Sequence, residues 1–318
     1  MKKVIGVLLI ILIVVGIALF LLAFASAGFD FSKMFSGNTE TNTYSVAEEF
    51  QKIDIVTQET DVIFKPSDLE GVRIVCVERA KRKHNVTVEE GTLKVSVKDE
   101  RKWYERFSFF SGELSMTVFI PSAAYDSLKI ENSTGDVSIP DAFSFGDVTI
   151  TVSTGDVDLK ASSVGACKIA ASTGDVILKG IHAEKTEVSV STGDVTAESV
   201  TCAGDFAVNV TTGKTTATDV LCRNFISQGS TGKLIMKDVV ATETFSIERS
   251  TGDVRFEKCD AGEITVEAST GDVSGSLRTE KIFVTKTSTG SISVPESVSG
   301  GKCKITTTTG DIEISISE

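Results

Sequence analysis

Residues 169–180, IAASTGDVILKG, contain the pattern that decides the fold of this 318-residue chain. Apolar residues alternate with small or polar ones up to a Ser-Thr-Gly-Asp turn, and the alternation resumes after the turn. A period of two predicts one β-strand before the turn and another after it, each with one face buried. Glycine suits the turn because it adopts positive φ, and aspartate suits it because its short side chain bonds nearby backbone amides.

The same phrase recurs along the chain at intervals of 19 or 20 residues. Its turn glycines are Gly135, Gly155, Gly174, Gly193, Gly213, Gly232, Gly252, Gly271, Gly290 and Gly310. One such unit has no room for a helix and cannot bury its own apolar face, but stacked units share a continuous core. The sequence therefore predicts an all-β protein, a parallel β-solenoid with coils of 19–20 residues. The threonine before each glycine is expected to face inward.

Residues 44–130 lack the turn signature but keep strand patterning, for example in RIVCVER at residues 73–79. We predict that this segment forms degenerate early coils of the same solenoid, followed by the regular repeats in residues 131–318. A small capping β-sandwich is the alternative.

The first 27 residues have a different character. Residues 4–25 are an uncharged apolar run, long enough to cross the roughly 30 Å hydrocarbon core of a membrane as a helix. Lys2 and Lys3 precede the run, which predicts a single-pass anchor in the cell membrane with a cytoplasmic N-terminus and an extracellular solenoid. A cleaved signal peptide ending at Ala25-Ser26-Ala27 is the alternative for residues 1–27. Residues 28–43 are predicted to be a polar linker.

Composition argues against several functions. The 44 acidic residues outnumber the 32 basic ones and give a net charge of −12, which disfavours nucleic acid as a partner. His84 and His182 lack catalytic or metal-binding motifs, so no enzyme activity, cofactor or metal is predicted. The aspartates after the turn glycines supply one carboxylate per coil, too few to satisfy calcium, and solvated carboxylates are the preferred interpretation over a calcium column. Lys214 and Lys233 interrupt that column and are expected to relieve its charge.

The repeated Ser-Thr-Gly-Asp-Val turns, together with YDSLKIENSTGDVSI at residues 125–139 and the preceding FIPSAAYDSL, resemble the bacterial "putative adhesin" family of β-strand repeats, a domain of unknown function. The resemblance covers residues 44–318. It implies a surface-exposed parallel β-solenoid of the cell envelope, in some members tied to envelope-stress systems, and it provides no catalytic residues.

Two segments are candidate contact surfaces. The first is an aromatic cluster, expected either to protrude as a loop that contacts protein, glycan or lipid or to pack as a cap over the early coils: Trp103, Tyr104, Phe107, Phe109 and Phe110. The second is a basic segment, expected either to be a solvated hairpin tip or to attract anionic lipid or wall polymers: Arg79, Lys81, Arg82 and Lys83.

The six cysteines are expected to be buried thiols, and Cys202 with Cys222 is the one pair whose positions could allow a disulfide. An uncapped end of the solenoid would expose strand edges, so association is possible in principle. The acidic Asp311, Glu313 and Glu318 near the C-terminus are expected to blunt that edge.

These features favour a membrane-anchored, surface-exposed scaffold or adhesin that binds a cell-envelope or surface polymer or protein by contact. The alternative is an envelope-stress sensor or modulator that binds a membrane partner or cationic peptides through its acidic faces. A polysaccharide-cleaving enzyme would require paired carboxylates in a groove, which the repeat pattern does not predict.

Overall fold

A computed structural model describes residues 12–19, 21–22, 25, 39–68, 71–101, 112–161 and 163–317. Residues 12–19 and 21–22 are helical, and no helix within the described residues is long and apolar enough to cross a membrane. The predicted anchor at residues 4–25 lies only partly within these ranges. Most of the predicted linker lies outside them.

The remainder is β-structure. The first seven strands are β1 (Thr39–Val46), β2 (Lys52–Glu59), β3 (Asp61–Pro66), β4 (Val72–Arg79), β5 (Arg82–Glu89), β6 (Thr92–Asp99) and β7 (Ser115–Ile120). The next nine are β8 (Ala124–Thr134), β9 (Val137–Ile139), β10 (Ser144–Thr154), β11 (Val157–Leu159), β12 (Ser163–Thr173), β13 (Val176–Lys179), β14 (His182–Thr192), β15 (Val195–Cys202) and β16 (Asp205–Thr212). The last nine are β17 (Thr215–Thr231), β18 (Leu234–Lys237), β19 (Val240–Thr251), β20 (Val254–Thr270), β21 (Val273–Leu277), β22 (Lys281–Thr289), β23 (Ile292–Ser293), β24 (Gly301–Thr309) and β25 (Ile312–Ile316).

The predicted parallel β-solenoid is confirmed. Each coil consists of a long strand, a glycine turn and a shorter strand, and equivalent residues of successive coils pair in parallel register, such as Val148 with Cys167. One continuous core is formed by three columns of buried residues. They are the seventh and fifth residues before most turn glycines and the second residue after nearly all of them. This core follows from the sequence period, because every second residue of a strand points to the same side.

The turn glycines are required by stacking as well as by their conformation. Gly174 has a φ of +136°, and a Cβ on it would lie 2.0 Å from the carbonyl oxygen of Gly155 in the preceding coil. No side-chain carbon fits at that distance. Glycine therefore lets consecutive corners pack backbone on backbone.

The turn aspartates link the coils. The carboxylate of Asp156 accepts the backbone N–H of Asp175 at 2.7 Å, and Asp175 accepts that of Asp194 at 2.7 Å. Because each carboxylate binds the amide of the next coil, the exposed corner becomes a column of charge-assisted hydrogen bonds. Lys214 and Lys233 pair with Asp194 and Asp253, at 3.6 Å and 3.0 Å, which agrees with the predicted charge relief.

The prediction that the threonine before each glycine faces inward is wrong. All ten of these threonines are exposed. The inward parity of the long strand ends at the third residue before the glycine, where Val152 and Val190 are buried. Beyond that position the chain bends into the corner and both the serine and the threonine reach solvent.

The core contains a ladder of phenylalanine rings from successive coils. Phe206 and Phe225 stack with ring centroids 5.4 Å apart, and Phe225 meets Phe245 edge-on at 5.8 Å. All six cysteines are buried and free, including Cys202 and Cys222. They act here as small apolar residues.

The early segment mixes parallel and antiparallel strands. β2 and β3 form a coil that stacks on β8 and β9, and β6 and β7 stack on that coil in parallel. Strands β1, β4 and β5 are antiparallel to their neighbours, unlike the parallel coils expected from the sequence. Two-residue turns join β4 to β5 and β5 to β6, and such short connections only allow antiparallel pairing.

At the C-terminal end the coils do not stack in chain order. β24 lies between β20 and β22, with Cys303 opposite both Ile264 and Phe283. Gly301 permits this insertion, because a Cβ there would lie 1.7 Å from the carbonyl oxygen of Gly262. The expectation that Asp311 and Glu313 blunt the end is therefore wrong, since their coil is internal. Glu318 lies outside the described residues.

Candidate binding groove

A shallow groove runs along the outer face of the long strands, across successive coils. Two outward columns of residues, the fourth and the second before the turn glycines, line it in the coils between Thr151 and Thr306. The second column contains only hydroxyl side chains, all exposed: Ser133, Ser153, Ser172, Ser191, Thr211, Ser230, Ser250, Ser269, Ser288 and Thr308. We call this feature the outer groove.

The outer groove has two depressions that meet at Asn209. One, of about 210 Å³, extends from Thr151 to Thr211, and the other, of about 620 Å³, extends from Asn209 to Thr306. A third depression, of about 250 Å³, shares Ser189 and Asn209 with the smaller one and Asn209 and Gln228 with the larger one. Since equivalent residues repeat at the ~4.8 Å spacing of paired strands, the groove presents similar polar groups at regular intervals along its length.

The larger depression contains two neighbouring carboxylates. Glu248 and Glu267 are opposite each other in register, and both are exposed. Glu267 pairs with Lys304 at 2.7 Å, and Glu248 accepts a hydrogen bond from Gln228 at 3.3 Å. Sequence reasoning missed this pair because it followed the corner aspartates. Comparing the residues four positions before each turn glycine would have revealed the pair.

A buried arginine lies beneath this part of the groove. Arg249 is 4% exposed, donates to the Ser227 hydroxyl at 2.7 Å, and has no partner for Nε within the described residues. Gly229 makes room for it, since a Cβ there would lie 1.7 Å from the guanidinium. Burial lowers the pKa of Arg249 to about 10. The residue fills core space that valine or alanine occupies in most other coils.

The basic segment is a hairpin tip whose charges are largely used within the fold. Arg79 pairs with Glu59 at 2.5 Å, Arg82 is buried and contacts Glu59 and Gln58, and Lys83 pairs with Glu40 at 2.7 Å. Lys81 is exposed in the turn. That the basic segment binds a partner stays a prediction. The aromatic cluster, Trp103 to Phe110, lies outside the described residues.

A buried polar cluster connects the antiparallel strands to the first coil. Glu78, only 1% exposed, accepts hydrogen bonds from Tyr44 and Asn42 on one carboxylate oxygen, at 2.6 and 2.7 Å. Its other oxygen accepts the backbone N–H and ring Nδ1–H of His84, both at 2.7 Å. The His84 Nε2 then accepts the Thr57 hydroxyl at 3.1 Å.

The order Thr57, His84, Glu78 resembles a hydroxyl–imidazole–carboxylate relay, but all three side chains are buried, at 2%, 6% and 1% exposure. Burial alone would raise the pKa of Glu78, yet the hydrogen bonds it accepts hold that pKa below its usual range. Burial lowers the pKa of His84, with Glu78 opposing the shift. A neutral imidazole between an ionised carboxylate and a hydroxyl satisfies every partner in this network.

Cys76 lies beside the same cluster, and its sulfur, a Glu78 oxygen and a His84 nitrogen lie within 4.8 Å of one another. These three donors are the group within the described residues that could hold a metal ion. Burial, reinforced by Glu78, raises the pKa of the Cys76 thiol to about 12, which keeps it protonated. Because Glu78 is already fully hydrogen-bonded, the arrangement fits a structural network better than a metal centre.

The fold and groove thus define a class of protein: a parallel β-solenoid with a long polar outer face. Residues 50–218 and 187–318 match the family described as Toastrack DUF4097. The chain belongs to this family, as the sequence resemblance predicted. No curated protein matches the chain in sequence.

The chain is similar to several solved structures at low sequence identity. A "putative lipid binding protein" from Parabacteroides distasonis ATCC 8503 is 20% identical with a TM-score of 0.50, covering 75% of this chain and 97% of that one. A "putative adhesin" from Parabacteroides merdae ATCC 43184 is 15% identical with a TM-score of 0.48, covering 76% and 97% of the two chains. Another from Bacteroides fragilis NCTC 9343 is 15% identical with a TM-score of 0.45, covering 88% and 98%. The first likeness supports the solenoid fold.

Proposed function

We propose that this protein is an adhesin-like, non-enzymatic scaffold that binds an extended polar polymer along the outer groove. The observation that carries the proposal is the series of adjoining depressions from Thr151 to Thr306, together with one exposed hydroxyl per coil at the same position. A ligand with its own repeat can form the same hydrogen bonds many times, so weak single contacts add up along its length. A polysaccharide of the cell envelope or of a neighbouring surface has the required shape and polarity.

The apolar run at residues 4–25 would tether the scaffold to the cell membrane, with the solenoid outside the cell. The stacked coils would then form a stiff rod that keeps the groove away from the lipid. This location is part of the proposal and rests on the sequence.

Steric blocking of the groove tests the proposal. We expect Ser191→Trp to weaken binding of a soluble polysaccharide about tenfold or more, because an indole in the middle of the groove excludes an extended chain. Thr196→Trp is the matched control, since Thr196 faces outward on the short strand of the same coil. Binding would be measured by calorimetry with neutral dextran and anionic polygalacturonate as probes. Equal affinity of the two variants would reject the groove as the binding site.

The acidic pair in the groove favours one second candidate, binding of cationic peptides by an envelope-stress modulator. Glu248 and Glu267 are exposed neighbours in register, and the chain has a net charge of −12. Capture of polylysine that weakens steeply with added salt, and that is lost in Glu248→Gln/Glu267→Gln, would support this candidate over polysaccharide binding. The same double variant tests for hydrolysis, since loss of glycan cleavage on removing both carboxylates would identify an enzyme instead.

A further inference from the structure

The last coil of the stack has an open edge. This terminal coil comprises β22 and β23, and within the described residues β22 pairs only with β24 and β23 only with β25. The far side of β22 therefore presents backbone N–H and C=O groups without strand partners. An edge of this kind pairs readily with another strand.

The outer face of β22 is apolar, unlike the same face elsewhere. Ile282 and Val284 occupy outward positions and are 44% and 50% exposed. Equivalent positions in the inner coils are mostly polar or small, for example Thr244 and Ser246 in β19. Ile292 belongs to an inward column, yet it is 45% exposed because no further coil covers it. An apolar face combined with a free edge indicates a surface that is covered by a partner.

We propose that a second copy of this chain covers the surface, with β22 pairing antiparallel to its own copy about a two-fold axis at Phe283. In this register Ile282 lies opposite Val284 of the other copy, and Glu280 lies opposite Lys286. Residues 282, 284 and 286 share one face of β22, and the exposed Glu280 directly precedes the strand with the same parity, so these apolar and charged pairs meet side by side.

Charge selects this register over its neighbours. Moving the axis to residue 282 would place Arg278 opposite Lys286, and moving it to residue 284 would place Lys286 opposite Ile282. Within the residues that the structure describes, Lys286 has no ion pair, and the Glu280 carboxylate has none either but accepts hydrogen bonds from the hydroxyls of Ser297 and Ser299. Both charges are thus available for the copy. Because each chain offers this edge once, two-fold pairing closes at a dimer.

Charge reversal with rescue tests the interface. Sedimentation equilibrium of the full chain in a mild detergent should show a dimer. Glu280→Lys or Lys286→Glu alone should weaken it on the order of tenfold, since each places two like-charged pairs across the axis. The double variant Glu280→Lys/Lys286→Glu restores opposite charges and should recover the original affinity. Glu263→Lys, on the outer face of an inner coil, serves as the charge control and should change nothing.

Cysteine cross-linking gives an independent readout of the register. A mixture of Ile282→Cys and Val284→Cys chains should form a disulfide-linked pair on mild oxidation, whereas the six native cysteines are buried. A chain that stays monomeric at all concentrations would overturn the proposal. So would a dimer that ignores both charge reversals, because it would show that the copies meet elsewhere, for example through their apolar N-terminal segments.

Discussion

Replacing Gly174 by alanine is expected to destabilise the protein by about 3–5 kcal/mol, because two penalties coincide at this corner. Its φ of +136° lies in a region that side-chain-bearing residues avoid. The added Cβ would also lie 2.0 Å from the Gly155 carbonyl oxygen, so the two coils would have to separate. The loss would be measured as the free energy of unfolding in urea, followed by far-UV circular dichroism.

Gly180→Ala separates the two penalties. Gly180 has a φ of +66°, but a Cβ on it would meet nothing within 4 Å. This variant should therefore lose only the cost of a left-handed backbone, about 1–2 kcal/mol. Equal losses in the two variants would show that conformation alone, and not close stacking, requires the corner glycines.

The corner also explains why the sequence repeats both Gly and Asp. Glycine brings the corners into backbone contact, and at that spacing the Asp carboxylate reaches the amide of the next coil, as Asp136 does to Asp156 at 2.8 Å. The column starts before the regular repeats, because Asp61 accepts the backbone N–H of Asp136 at 3.0 Å. The segment Gln58-Glu59-Thr60-Asp61 is thus a degenerate copy of the turn phrase, with Thr60 in the place of glycine.

The regular coils could be predicted from the sequence because each coil is specified by a pattern within its own 19 or 20 residues. Strand alternation and the glycine spacing specify which residues are buried, and Phe206, Phe225 and Phe245 share a column by counting alone. The exposure of the threonines before the turn glycines could not be predicted from the alternation of inward and outward residues, because it depends on where the strand bends into the corner. Such a bend is set by backbone geometry that a period of two does not describe.

The two ends of the solenoid were harder to predict, since strand order there is a choice between distant partners. Nothing in the spacing of Gly290 and Gly310 indicates that β24 lies inside β22. The groove column could have been predicted by listing the fourth residue before each turn glycine. That list contains Glu248 and Glu267. The Glu78 cluster could not have been predicted in this way, because Tyr44, Thr57 and His84 come together only through antiparallel pairing and stacking of strands.

Replacing Glu78 by alanine is expected to destabilise the antiparallel end of the protein by about 3–5 kcal/mol. The change removes the acceptor for Tyr44, Asn42 and His84 at once, and it leaves the buried His84 and the half-buried Tyr44 and Asn42 without that partner. Urea unfolding of the full chain measures the loss. Glu89→Ala is the control, because Glu89 is exposed and its ion pair with Lys94 is screened by solvent, so its loss should change stability little.

The same cluster predicts a dependence of stability on pH. The pKa of His84 is lowered from its ordinary value of 6.5, so between the folded and unfolded pKa values the unfolded chain binds more protons at this residue. Stability should therefore fall as the pH drops below about 6.5. The pKa of Glu78 is lowered from 4.5, so its contribution is lost only at more acidic pH, as the carboxylate becomes protonated in the folded state.

His84→Gln isolates the first of these steps. Glutamine keeps a donor for Glu78 but does not titrate, so the decline in stability just below pH 6.5 should disappear while the loss at lower pH remains. Both profiles would come from urea midpoints measured from pH 8 down to about pH 2, so that the window includes the protonation of Glu78 as well as that of His84. An unchanged decline in the variant would assign it to other groups, and it would remove the evidence that a buried neutral imidazole links the antiparallel strands to the first coil.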